Sequence, residues 1–152
     1  MNINELTDKN LSDAVLLYRI AVKNCPNYDA CELGDEEIAK KYKDAEYNGD
    51  YTYMFYDRGQ PLAVVTVCKF LAEIQNMSIN HSLVDKSFYD KFLEFVIKQF
   101  SAITRVFLWV LSVDISTSNM LEDYGFEYTG EQEYVSKEHN ILRFKYVYKR
   151  KK

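Results

Sequence analysis

Between residues 71 and 113 the chain passes from a strand-like segment through an amphipathic helix into an unbroken apolar run, and that order leaves few folds open. Over Asp85 to Phe100, the residues Phe88, Phe92, Phe95, Val96 and Phe100 fall on one helical face, and Asp90, Lys91, Glu94 and Lys98 fall on the other. The run Val106-Phe107-Leu108-Trp109-Val110-Leu111, within a strand from Arg105 to Val113, contains no polar residue. It predicts a strand buried on both faces. With Leu71 to Ile79 read as the preceding strand, the whole is a β-α-β unit with parallel strands, which sets a helix N-terminus beside strand ends.

The flanking segments extend this unit. Leu11, Val15, Tyr18 and Val22 recur at helical steps from Asn10 to Asn24, and Pro26 ends that helix. A second helix is predicted from Asp35 to Tyr47, with acids in its first turn and the breaker Asn48-Gly49-Asp50 after it. Its apolar face (Ile38, Ala39, Tyr42, Ala45) is thin, so it and the loop from Cys25 to Leu33 are expected to be the most mobile parts. Tyr51 to Tyr56 and Pro61 to Lys69 form a hairpin around Asp57-Arg58-Gly59-Gln60. A short helix from Ile115 to Tyr124 stops at Gly125, and strands from Phe126 to Val135 and Ile141 to Lys149 follow. An additional first strand at Asn2 to Leu6 gives the order β-α-α-β-β-β-α-β-α-β-β, an α/β fold with a mixed sheet.

A length of 152 residues suits one domain over residues 1–149 with a basic tail at 150–152. Thirteen Tyr and nine Phe imply a large core with polar edges, which suits a cleft. The formal charge of −4 argues against nucleic acid as a partner. Acids concentrated between Asp29 and Asp50 would attract an amine or merely be solvated. Cys25, Cys31 and Cys68 are an odd set without metal-type C-x-x-C spacing and read as free thiols in a reducing compartment, and two histidines with no nearby Cys or acidic ligand pattern do not make a metal site. No basic segment precedes an apolar run at the N-terminus, and no apolar stretch could cross a bilayer, so a cytoplasmic protein with no membrane partner is expected.

Two local motifs carry a family resemblance. Ala72-Glu73-Ile74-Gln75-Asn76-Met77-Ser78-Ile79-Asn80-His81 resembles the fourth strand of the GNAT N-acetyltransferases, A-E-I-x-x-L-x-V-x-P. Asn119-Met120-Leu121-Glu122-Asp123-Tyr124-Gly125-Phe126 resembles their short helix ending Y-E-K-x-G-F. The resemblance implies acyl transfer from acetyl-CoA to a primary amine of a small molecule or peptide. In that family an R-G-x-G-x-G loop holds the pyrophosphate on helix N-H groups. Here its six places hold Val84, Asp85, Lys86, Ser87, Phe88 and Tyr89, with none of the glycines. Asp85 is placed to cap the helix with its own carboxylate, so acetyl-CoA binding is expected to be weak or absent. The alternative function is a binding module that keeps the fold without the chemistry.

The same resemblance assigns the remaining roles. Backbone groups of Met77, Ser78 and Ile79 would orient the acyl-pantetheine arm, and Asp114 stands where an Asn is common. Glu73 is either the base that takes the amine's proton or an exposed strand glutamate. His81 is an alternative base or a surface turn residue. Leu121 replaces the usual acid, so Tyr124 is either its substitute or a packing tyrosine. The strand Ile141 to Lys149, read as an edge, would pair between subunits of a homodimer or be protected from pairing by its Lys and Arg.

Overall fold

The β-α-β unit is present at the centre of the molecule. A computed structural model describes residues 1–26 and 33–151, so Cys31 and most of the loop expected to be mobile lie outside the described residues. The strands are β1 (Asn2–Glu5), β2 (Tyr51–Asp57), β3 (Gln60–Cys68), β4 (Glu73–Ile79), β5 (Arg105–Leu111), β6 (Glu127–Ser136) and β7 (Ile141–Lys149). The helices are α1 (Leu11–Lys23), α2 (Asp35–Tyr47), α3 (Lys86–Lys98) and α4 (Ile115–Tyr124). One mixed sheet runs in the order β1-β2-β3-β4-β5-β7-β6, and its single parallel contact is between β4 and β5.

Helices cover both faces of the first half of the sheet. Phe55 of β2 points into the core under α3, with Phe92, Leu93 and Val96. Its neighbours Met54 and Tyr56 point the other way, to Ala14 and Leu17 of α1 and Ile38 and Tyr42 of α2. Burial on both sides explains why β3 is buried without a break from Leu62 to Cys68. The face of α2 is thin, as expected, yet Ile38, Tyr42 and Ala45 are all buried, and Asp35 pairs with Arg19 of α1. Between β2 and β3, Arg58 and Gly59 both take positive φ, +52° and +79°, the pattern of a tight hairpin turn whose twist matches the strands.

Three expectations are corrected. The apolar run of β5 is not buried on both faces: Val106, Leu108 and Val110 are core, whereas Phe107, Trp109 and Leu111 are half-buried. Their far face meets cationic stems, with Arg143 4.3 Å from the Trp109 ring and Lys145 4.6 Å from that of Phe107. Strand β4 starts at Glu73 rather than Leu71, because Ala72 takes φ +53° and leaves Phe70 and Leu71 exposed in the turn. β7 is not an edge, since it lies between β5 and β6 and leaves β6 at the margin. The basic tail is also tethered at its start, where the Arg150 guanidinium donates to the Ile97 carbonyl at the end of α3.

Candidate functional site

Strands β4 and β5 are joined at one end only. Glu73 is in register with Phe107, and the Phe107 N-H donates to the Ala72 carbonyl at 2.9 Å; no further residue pairs continue the ladder. A bulge on β4 accompanies this parting. The register against β3 moves from Thr66↔Gln75 to Val64↔Ser78, so Asn76 and Met77 together face Val65. Such a bulge bends the strand and takes backbone groups out of the ladder. Asn76 sits at φ +49°, a conformation that asparagine tolerates better than most residues. Its amide donates to Thr66 Oγ1 at 3.2 Å, and Thr66 Oγ1 lies 2.8 Å from Thr52 Oγ1, so buried hydroxyls fix the bulge.

The split opens into a cavity of about 460 Å³ lined by both strands and by α1 and α2. A smaller one of about 180 Å³ lies toward the strands' C-terminal ends and shares Met77, Ser78, Asp114 and Thr117 with the first. Ile79 and His81 also line the smaller space.

Helices α3 and α4 are both capped by their own carboxylates, and the cap of α4, Asp114, lines both cavities. Asp85 accepts from the Phe88 N-H at 3.0 Å, and Asp114 accepts from the Thr117 N-H at 3.2 Å. Each cap uses a donor that an incoming anion would need and adds a negative charge at the positive end of the helix dipole. Lys86 does not offset this toward the cavity, because its ammonium pairs with Asp90 along α3 at 3.0 Å. Val84 is half-buried against the core, Ser87 is exposed, and Phe88 is buried and stacked on Phe92. Burial pushes the Tyr89 phenol up, and Asp114 and Asp85 push it further, so it stays protonated.

His81 is not a surface turn residue. It opens a single 3-10 turn (His81–Leu83), and both ring nitrogens are engaged: Nδ1 lies 2.7 Å from Tyr89 Oη and Nε2 lies 3.1 Å from Thr117 Oγ1. The ring therefore ties the β4–α3 connection to α3 and α4. Desolvation lowers its pKa below the usual value, and Asp114 opposes that fall. The unfolded chain binds the proton first as pH drops through about 6.5, so stability is present above that value and is lost as pH falls toward the depressed folded pKa. His81→Gln should flatten this part of the pH dependence, read from urea midpoints at about pH 7.5 and about pH 5.5. An unchanged difference between the two midpoints would remove His81 from this role.

Glu73 lines the larger cavity and accepts a hydrogen bond from Gln75 Nε2 at 3.1 Å. Tyr124 lines neither cavity; it packs on Tyr148 and Phe126, with ring centroids 5.6 and 6.3 Å away. Cys25 lines the cavity, but burial and then Asp114 push its thiol up to about 12, so it stays protonated. No group of residues that could hold a metal occurs among the described residues.

Sequence reasoning missed the cavity's other polar groups. Tyr18 was counted as part of the α1 core stripe, and Lys41 lies in a segment read for its acids. Arg143 was weighed only as protection of an edge strand against pairing, and Tyr42 as one of the few apolar contacts of α2. All four line the cavity. The available signal was Tyr18 and Tyr42, since each phenol in a packed stripe needs a partner for its hydroxyl.

No family model matches the sequence, and no curated protein matches it. Solved structures do match over nearly the whole chain. A ribosomal-protein-alanine N-acetyltransferase from Brucella melitensis aligns with a TM-score of 0.76 at 12% identity, covering 98% of this chain and 99% of that one. A GNAT-family acetyltransferase from Streptococcus agalactiae aligns at 0.77 and 13% identity, covering 99% and 96%. The Salmonella typhimurium protein yncA, solved with its cofactor acetyl-CoA, aligns at 0.73 and 11% identity, covering 100% and 95%. No described helix is long and apolar enough to cross a membrane. The split pair β4 and β5, the helices on either face and these alignments agree: this chain has the fold of the GNAT N-acetyltransferases.

Proposed function

We propose that this protein is an N-acyltransferase that receives an acyl thioester in the β4–β5 split and directs it to a primary amine, with a weak hold on the donor's pyrophosphate. The observation that carries this reading is the split itself, a bulged strand parted from its parallel neighbour over a cavity of about 460 Å³. Backbone amides there would receive the amide arm of acetyl-CoA, which supplies the acyl group on sulfur. In the reaction the amine nitrogen bonds to the acyl carbon as the carbon–sulfur bond breaks, and the thiolate leaves and takes a proton. An ammonium has no lone pair, so its proton must go first to a base, and Glu73 is the carboxylate at the closed end of the split. Positioning supplies much of the rate in such a reaction.

The parted strands suit the arm of the donor, whereas its pyrophosphate would meet Asp85 at the usual helix start, that of α3, and Asp114 stands in the same way at the start of α4. Thermal unfolding with acetyl-CoA tests the reading, because a ligand at about 100 times its dissociation constant stabilises by about 2.7 kcal/mol. Asp85→Asn keeps a good capping residue and removes the charge, so it should tighten acetyl-CoA about 5- to 10-fold, the effect of roughly 1 kcal/mol of relieved repulsion. Unchanged or weaker binding would place the phosphates elsewhere. A well-folded protein with no acetyl-CoA shift in either form would favour a binding module, the reading that the two capping carboxylates support.

A further inference from the structure

The acyltransferase reading leaves open what kind of amine enters on the α1–α2 side of the sheet, and the polar groups of that wall constrain it. The acids of α2 do not form it. From that helix the cavity receives Ile38, Lys41 and Tyr42, while Asp35, Glu36, Glu37, Asp44 and Glu46 are all exposed and line neither cavity. Lys41 makes no ion pair among the described residues, unlike its neighbour Lys40, which binds Asp44 at 2.7 Å.

The other groups are also donors. Tyr18 Oη has under 1 Å² exposed and no hydrogen-bond partner among the described residues. Burial raises the pKa of Tyr42, and the neighbouring Tyr18 raises it further, so the Tyr42 phenol keeps its proton and the two side chains stand close together. Arg143 arrives from β7 on the far side of Trp109. Glu133 engages its Nε and one terminal nitrogen, and the guanidinium stacks over the Trp109 ring. It is thereby held in place, and its other terminal nitrogen makes no hydrogen bond or ion pair among the described residues. Against these donors the cavity sets two carboxylates, Glu73, which already accepts from Gln75, and Asp114, which already caps α4.

Resting on that acyltransferase reading, we propose that the acceptor is an amino acid: its carboxylate is received by Lys41, Arg143 and the phenols of Tyr18 and Tyr42, and its amine is turned toward Glu73. Buried donors without acceptors are costly, and a carboxylate offers several lone pairs to groups arranged in this way. The same wall disfavours a polyamine, whose second ammonium would lie against Lys41 and Arg143. An acceptor with a charge of each sign is oriented by the site, because only one direction pairs both ends.

The test is thermal unfolding of the intact protein with matched compounds. L-glutamate, 4-aminobutyrate and L-phenylalanine form one set; butylamine, phenethylamine and spermidine form the other. The carboxylates should raise the midpoint, and the amines without a carboxylate should not. Lys41→Ala, an exposed position, and Tyr18→Phe, which keeps the ring, should each weaken the bound carboxylate about tenfold, the usual scale for a hydrogen bond to a charged group. Equal or larger shifts from the plain amines would overturn the proposal, as would no shift from any compound, or full affinity retained in Lys41→Ala. Acetyl-CoA titrated in parallel separates the two readings. If it fails to bind while the amino acids do, the acyltransferase reading falls and the anion site stands. If Lys41→Ala weakens acetyl-CoA instead of the amino acids, the anion held there is a donor phosphate and the proposal fails.

Discussion

Phe92→Ala is expected to lower the stability of this protein by about 3–5 kcal/mol, a large share of the 5–15 kcal/mol typical of a domain. Phe92 is fully buried, and its ring is held by two others, edge-on to Phe55 at 4.8 Å and stacked on Phe88 at 5.6 Å. Removing it takes away the transfer energy of the ring and leaves a space that the flanking aromatics can only partly fill, since both are fixed by the backbone of α3 or β2. The loss should reach the candidate site. Phe88 follows the Asp85 cap, and Tyr89 beside it holds His81, so a loosened α3 N-terminus would free the 3-10 turn at His81. Urea denaturation of Phe92→Ala beside Phe70→Ala is the measurement. Phe70 is 94% exposed, so its loss should change stability by no more than about 0.5 kcal/mol. A cost below about 1 kcal/mol at Phe92 would mean that α3 does not pack as described.

The reason α3 was legible in the sequence, and parts of the site were not, lies in what periodicity measures. A 3.6-residue repeat of phenylalanines reports one buried face, and α3 has one. The carboxylate of Asp85 was legible too, because a helix start needs acceptors for its free N-H groups and the next residues offer no better one. In β5 the run of apolar side chains reports only that no face is polar. It does not say whether a face is covered by a helix or by the methylene stems and cationic heads of Lys145 and Arg143, which cover Phe107 and Trp109 here. The bulge at Asn76 was invisible for a related reason, since it depends on Thr66 and Thr52, distant in sequence and brought close only by strand pairing. His81 was left between an alternative base and a surface turn residue, because its partners, Tyr89 and Thr117, belong to two different helices. The cavity's cations came from elements whose charges, taken alone, read as solvated.

With Glu73 as the base of the proposed acyl transfer, Glu73→Gln should reduce turnover by about 10²- to 10⁴-fold at neutral pH, the range usual for loss of a positioned general base. Glutamine keeps the shape of the side chain and can still share a hydrogen bond with Gln75, so the change removes proton acceptance and little else. The pH dependence distinguishes this role from a merely structural one. An aliphatic amine has a pKa near 10, so the fraction already neutral rises about tenfold with each pH unit below that value. Turnover by Glu73→Gln should follow that rise and approach the parent rate in alkaline solution, whereas the parent should depend on pH much less over the same range. The measurement is thiol release from acetyl-CoA by both proteins, with one amine at saturation, at a series of pH values. A deficit that persists unchanged at high pH would show that Glu73 holds the geometry of the split rather than taking the proton, and equal turnover at neutral pH would show that the amine arrives neutral. The position of Glu73 favours the base: it lies at the single point where β4 still pairs with β5, so its backbone is fixed while its side chain lines the space that opens beyond.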